Sequence, residues 1–86
     1  MTRQVRVVIE GESYLSLETV AECYHCEVSW VREVYEFGLL GSGRRVGSDV
    51  VIPSHVLDRL AAIIRLSRYY GLNLAGIALA LDLDEP

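Results

Sequence analysis

Leu17-Glu18-Thr19-Val20-Ala21-Glu22-Cys23-Tyr24-His25-Cys26-Glu27-Val28-Ser29-Trp30-Val31-Arg32-Glu33-Val34-Tyr35-Glu36-Phe37-Gly38 carries two short apolar stripes at helical spacing with a break between them. Leu17, Val20, Ala21 and Tyr24 stand at i, i+3, i+4 and i+7, which places them on one buried face of a first helix. Ser16 precedes that stripe as an N-cap, because its hydroxyl can accept from the free amides of the first turn. Glu18 puts an anion where the helix dipole favours one. The first helix is expected to end near Cys23–His25. Ser29 offers a second N-cap, and a second helix follows from Trp30 to Phe37 with Val31, Val34 and Tyr35 inward. Gly38 is its expected left-handed stop. Two short helices joined by a tight turn, over residues 16–38, predict a helix-turn-helix.

The flanks extend this unit in both directions. Residues 4–10 alternate, with Val5, Val7 and Ile9 on one side and Gln4, Arg6, Val8 and Glu10 on the other, as a half-buried strand does. Gly11-Glu12-Ser13 is read as a turn, after which Tyr14-Leu15 pairs back briefly. Beyond the second helix, Leu39-Leu40 enters the Gly- and Ser-rich run Gly41–Asp49, which is too poor in apolar side chains to pack a core. Val50-Val51-Ile52 then returns as a β-branched strand, so residues 39–52 are expected to form a wing. A long helix is expected over 53–70, with Val56, Leu57, Leu60, Ile63, Ile64, Ser67 and Tyr70 inward and Asp58, Arg65 and Arg68 as its polar wedge. Gly71 stops it, Asn73 caps a terminal helix over 73–83, and Leu74, Ile77, Ala78 and Leu81 face the core. The expected fold is therefore mainly α with a small β wing: one winged helix-turn-helix domain over 1–86, about four helices plus short antiparallel strands.

Composition narrows the function classes. The chain has 86 residues, 51% hydrophobic and 23% charged, which suits a globular domain with one modest core and little room for an enclosed catalytic pocket. No apolar run approaches the roughly 20 residues that span a bilayer. No apolar stretch follows Met1-Thr2-Arg3-Gln4, so no secretory signal is expected and the cytoplasm is the expected compartment. His25 and His55 are isolated, and the Gly-rich run 41–47 precedes a strand rather than a helix, so neither an enzyme nor a cofactor is expected. Cys23 and Cys26 would need two further ligands at finger-like spacing to hold a metal, and only His55 remains, so they are read as reduced thiols with no metal. The net charge is -4, and every basic residue is Arg. Up to Phe37, Glu10, Glu12, Glu18, Glu22, Glu27, Glu33 and Glu36 stand against Arg3, Arg6 and Arg32. Because DNA affinity comes largely from neutralising phosphates, an acidic domain is better matched to a basic protein surface.

The order of elements, with Leu17–Ala21 and Val28–Leu40 as its markers, resembles the MerR-like winged-helix superfamily. Arg65-Leu66-Ser67-Arg68-Tyr69-Tyr70-Gly71-Leu72-Asn73-Leu74-Ala75-Gly76-Ile77-Ala78-Leu79-Ala80-Leu81-Asp82-Leu83 is similar to the signature of the chaperone-modulator branch, the CbpM type, and His55 fits it too. The resemblance runs from about Val7 to Leu83. It implies a protein that binds the J domain of a CbpA/DnaJ-like co-chaperone and blocks the basic surface on which that domain engages DnaK. Relatives of this type continue into a further helix that can form a coiled coil, whereas the sequence ends at Asp84-Glu85-Pro86.

Three surfaces follow as candidates. For a protein partner they are Glu18, Glu22, Trp30, Glu33, Glu36 and Phe37, with Trp30 either an interface anchor or a core plug. For a homodimer they are Ala62, Leu66 and Tyr69 on the long helix with Ala75 and Leu79 on the terminal one, apolar residues on faces that the core does not claim. For DNA, Arg32, Arg44 and Arg45 are the phosphate contacts, but Glu33 and Glu36 share the exposed side of the recognition helix, so DNA is the weaker expectation.

Overall fold

The computed structural model describes residues 6–84, with side chains to Asp82. Gln4 and Val5 of the expected first strand, and the side chain of Leu83, lie outside the described residues. The elements in order are β1 (Arg6–Ile9), β2 (Glu12–Ser16), α1 (Leu17–Cys23), α2 (Val28–Glu36), β3 (Arg44–Val46), β4 (Asp49–Pro53), a 3₁₀ turn (Ser54–Val56), α3 (Leu57–Tyr70) and α4 (Leu74–Asp84). Four helices and short antiparallel strands make the winged helix-turn-helix that the sequence predicts. The chain divides into two compact units, with the boundary in sequence between Val56 and Leu57.

In the first unit the strands form one antiparallel sheet in the order β1-β2-β4-β3. The returning strand of the wing therefore pairs with the N-terminal hairpin, Leu15 opposite Ile52 and Ser16 opposite Val51. These central strands supply core: Tyr14, Leu15, Val51 and Ile52 are buried. The edge strand β1 keeps the expected alternation, with Val7 and Ile9 half-buried and Arg6 and Val8 exposed. The turn after it is tighter than expected. Ile9 pairs with Glu12 and Val8 with Ser13, so only Glu10 and Gly11 (φ 53 and 82) link the strands. Two consecutive positive φ values suit the right-handed twist of a two-residue hairpin. The Gly-rich run is likewise partly strand, since Arg44–Val46 pairs with Asp49–Val51. Leu39 and Leu40, at the start of the expected wing, are core residues.

Ser16 caps α1 as expected, its Oγ accepting from the Thr19 amide at 3.2 Å and lying 2.8 Å from the Thr19 hydroxyl. Leu17, Val20 and Ala21 are buried, and Tyr24 is half-buried. The helix stops through a left-handed His25 (φ 55), with the Cys26 amide donating to the Ala21 carbonyl at 2.9 Å and the His25 amide to Glu22 at 3.3 Å. That bond pattern is a Schellman stop, usually built on glycine. It gives Cys23-Tyr24-His25-Cys26 a structural role: the turn of the helix-turn-helix. Helix α2 closes the same way at Gly38, as expected, with Leu39 donating to Val34 and Gly38 to Tyr35.

The start of α2 corrects the sequence reading. Glu27, not Ser29, is the N-cap, and no side chain caps this end. The Glu27 carbonyl already accepts from the Trp30 and Val31 amides, both at 3.1 Å, so Ser29 sits inside the first turn, exposed. Only Cys26 and Glu27 follow the stop at His25 before the second helix begins at Val28.

The long helix also begins later than expected. Pro53 ends β4, opposite Tyr14, and Ser54–Val56 forms a 3₁₀ turn packed on β2, where His55 Nε2 lies 3.2 Å from Glu12 Oε1. In the second unit Leu60 and Ile63 of α3 and Ile77 of α4 are fully buried, while Leu57, Ile64, Ser67, Leu74, Ala78 and Leu81 are half-buried. Tyr70, expected inward, is 69% exposed; it ends α3, where the chain turns away through Gly71 (φ 66). Asn73 caps α4, Oδ1 accepting from the Gly76 amide at 2.8 Å.

Candidate functional site

At about 100° per residue, the buried Val31 and Val34 and the half-buried Tyr35 mark one side of α2. The opposite arc presents Arg32, Glu33 and Glu36 to solvent, with Ser29 among them. Trp30 and Phe37 border one edge of this arc. Trp30 is half-buried, and Phe37 is 50% exposed. Trp30, Glu33 and Phe37 stand at i, i+3 and i+7, so the acidic and aromatic residues share a continuous surface.

Val28 borders the other edge, beside α1. Here Arg32 Nη2 donates to Glu18 Oε1 at 3.4 Å across the helix-turn-helix, with both side chains part-exposed. Next to this pair, Glu18, Ala21, Glu22, Cys26 and Val28 line a shallow groove of about 270 Å³. Small-molecule sites typically occupy ~300–1,000 Å³ of deeper concavity. The candidate protein-binding residues thus lie together on α1 and α2: a strip of carboxylates with an aromatic border and an apolar groove on opposite edges. Sequence reasoning missed the groove's Cys26 and Val28 and the Glu18–Arg32 pair. Residues 14 apart on different helices carry no local signal of contact.

The wing arginines are not equivalent. Arg44 Nε donates to the Tyr14 hydroxyl at 3.2 Å, and its guanidinium carbon lies 5.7 Å from the centre of the Tyr14 ring. Both residues flank β4, so the strand order creates this contact. Arg45, the next residue, is exposed. With Arg32 held by Glu18 and Arg44 held on Tyr14, two of the three arginines proposed for phosphate have intramolecular partners.

The third candidate surface lies in the second unit. Tyr69 is 82% and Leu79 61% exposed, Ala75 is exposed, and Ala62 and Leu66 are half-buried. Among the described residues no group of His, Cys, Asp and Glu is arranged to hold a metal, and no helix is long and apolar enough to cross a membrane. Cys23 is exposed at the end of α1, and the Cys26 thiol donates to the Tyr24 carbonyl at 3.5 Å.

A four-stranded sheet whose outer hairpin follows two short helices joined by a tight turn defines a winged helix-turn-helix domain. The model for MerR helix-turn-helix family regulatory proteins matches residues 15–85, and the chain belongs to that family. Searches of curated proteins and of solved structures give no significant match.

Proposed function

We propose that this MerR-family chain is a chaperone modulator of the CbpM type, a non-enzymatic cytoplasmic protein that binds the J domain of a CbpA/DnaJ-like co-chaperone and blocks its engagement of DnaK. The observation that carries the reading is the solvent-facing arc of α2, where Glu33 and Glu36 are exposed beside Phe37 and the one cation, Arg32, is paired with Glu18. In a DNA reader this helix enters the major groove with phosphates on both sides, and exposed carboxylates there oppose binding. Against a basic protein face the same carboxylates steer association, and a part-exposed aromatic beside them can be desolvated at the interface. The signature at 65–83 supports the choice of a J domain among basic partners. The expected result is a salt-sensitive complex with the J domain of the host's own CbpA-like protein, weakened by Glu33→Lys and by Glu36→Lys. Unchanged affinity after reversal at both positions would sink this interface.

A second reading is a DNA-binding transcriptional regulator, favoured by the family description and by Arg45 exposed on the wing. It requires retardation of a defined DNA sequence at physiological salt that Arg45→Ala weakens.

A further inference from the structure

We infer that the groove between α1 and α2 is the seat for a single arginine side chain of the protein partner, an assignment that rests on the modulator reading and adds a contact to it. Ala21, Cys26 and Val28 give the groove an apolar lining, which Glu18 and Glu22 complete with two carboxylates. An arginine has the matching division, an aliphatic stem ending in a charged planar head. The groove is too small and shallow for a drug-sized ligand but large enough to cover one such side chain.

Two features of these carboxylates select the cation. Glu18 and Glu22 are four residues apart on α1, so their carboxylates project from one face and repel each other, and a cation between them relieves that repulsion. Glu18 also already holds a guanidinium, that of Arg32, at 3.4 Å. Glu22 is exposed and has no ion pair among the described residues. An incoming arginine would lay its stem over Val28 and Ala21 and meet Glu22 with its planar fork, which suits a carboxylate better than the point charge of an ammonium does. Arg32 then acts as an internal competitor for Glu18. Removing it exposes a second carboxylate to the incoming head.

The test is titration of the full ¹⁵N-labelled chain with an acetylated, amidated Gly-Arg-Gly tripeptide and with its citrulline counterpart, which keeps the shape and lacks the charge. Saturable shifts are expected at the amides of Ala21, Glu22, Cys26 and Val28 with arginine only. They should disappear in Glu22→Gln, whose spectrum otherwise shows the native fold, and saturate at lower peptide concentration in Arg32→Ala. Equal shifts with citrulline, or shifts confined to other residues, overturn the assignment. With the J domain, Glu22→Gln should lower affinity about tenfold, the effect of one charge-assisted contact. If Glu33→Lys with Glu36→Lys abolishes J-domain binding and Glu22→Gln leaves it intact, the groove assignment falls and the modulator reading stands. If the tripeptide binds as expected and the J domain does not bind at all, the modulator reading falls and the arginine seat stands.

Discussion

Gly43 and Gly47 both lie in the wing, yet alanine should fail at them for different reasons. A methyl group at Gly43 would lie 2.6 Å from the Val51 carbonyl oxygen and 3.1 Å from the Tyr35 ring. The first contact is with backbone held in the β3–β4 ladder, which cannot rotate aside as a side-chain tip can. Relief requires moving the entry to β3 away from β4. Overpacking of this kind costs ~1–3 kcal/mol. The stiffer unfolded chain of the alanine variant returns ~0.4–1 kcal/mol, leaving a net loss of about 1–2 kcal/mol. Gly47 has open space around it but φ 62, so alanine there costs only left-handed strain, ~1–2 kcal/mol before the same return from the unfolded chain. For a chain of this size, 1 kcal/mol shifts the melting temperature by roughly 4–8 °C. Thermal unfolding followed by circular dichroism should show both variants destabilised. In a double-mutant cycle, Gly43→Ala should cost less in a Tyr35→Ala background than in the parent, whereas the cost of Gly47→Ala should be the same in both. A Gly43→Ala protein as stable as the parent would refute the close approach of the wing to β4 and α2.

Further outcomes follow from the caps and exposed faces. Ser16→Ala removes the N-cap bond of α1 at a fully buried position and should cost about 1 kcal/mol, read as a lower melting temperature. At the left-handed turn between the helices, the β-branched His25→Val should be less stable than His25→Gly by roughly 1–2 kcal/mol in urea unfolding. If Ala62, Leu66, Tyr69, Ala75 and Leu79 form a homodimer face, sedimentation should show concentration-dependent association that Leu66→Asp or Leu79→Asp abolishes; a monomer at every concentration removes that surface from consideration.

Much of the fold was legible because its signals are local. The cap at Ser16, the stop at Gly38 and the cap at Asn73 are each read within a few residues, and each lies where expected. The errors arose where a distant partner decides. Glu12 and Ser13 look like turn residues until Ile9 and Val8 are seen opposite them. Arg44–Val46 looks like loop until β4 pairs with it. Ser29 has a good cap side chain, but the left-handed stop at His25, a position usually filled by glycine, moves the second helix forward to Val28. The acidic strip on α2 was visible from helical spacing. The groove and the pairs that engage Arg32 and Arg44 were not, because each joins two elements whose separation only the tertiary structure sets.

The two functional readings share one surface, and charge separates them. Reversing Glu33 and Glu36 together changes the local charge by four units, because each carboxylate becomes a cation. Toward a basic protein face this turns attraction into repulsion, and the loss should be largest at low salt, where the Debye length is longest. Toward DNA the same change adds two potential phosphate contacts and should strengthen binding, steepening its salt dependence by about two units of slope. Neither effect relies on the fold being perturbed, since both side chains are exposed. A scaffold that pairs its α2 arginine with Glu18, stacks a wing arginine on Tyr14 and leaves Glu33 and Glu36 exposed presents a helix face whose charge opposes phosphates. If the double reversal weakened DNA binding instead, the helix would have to contact DNA through its carboxylates, as cytosine readers do, and the protein-binding reading would lose its main support.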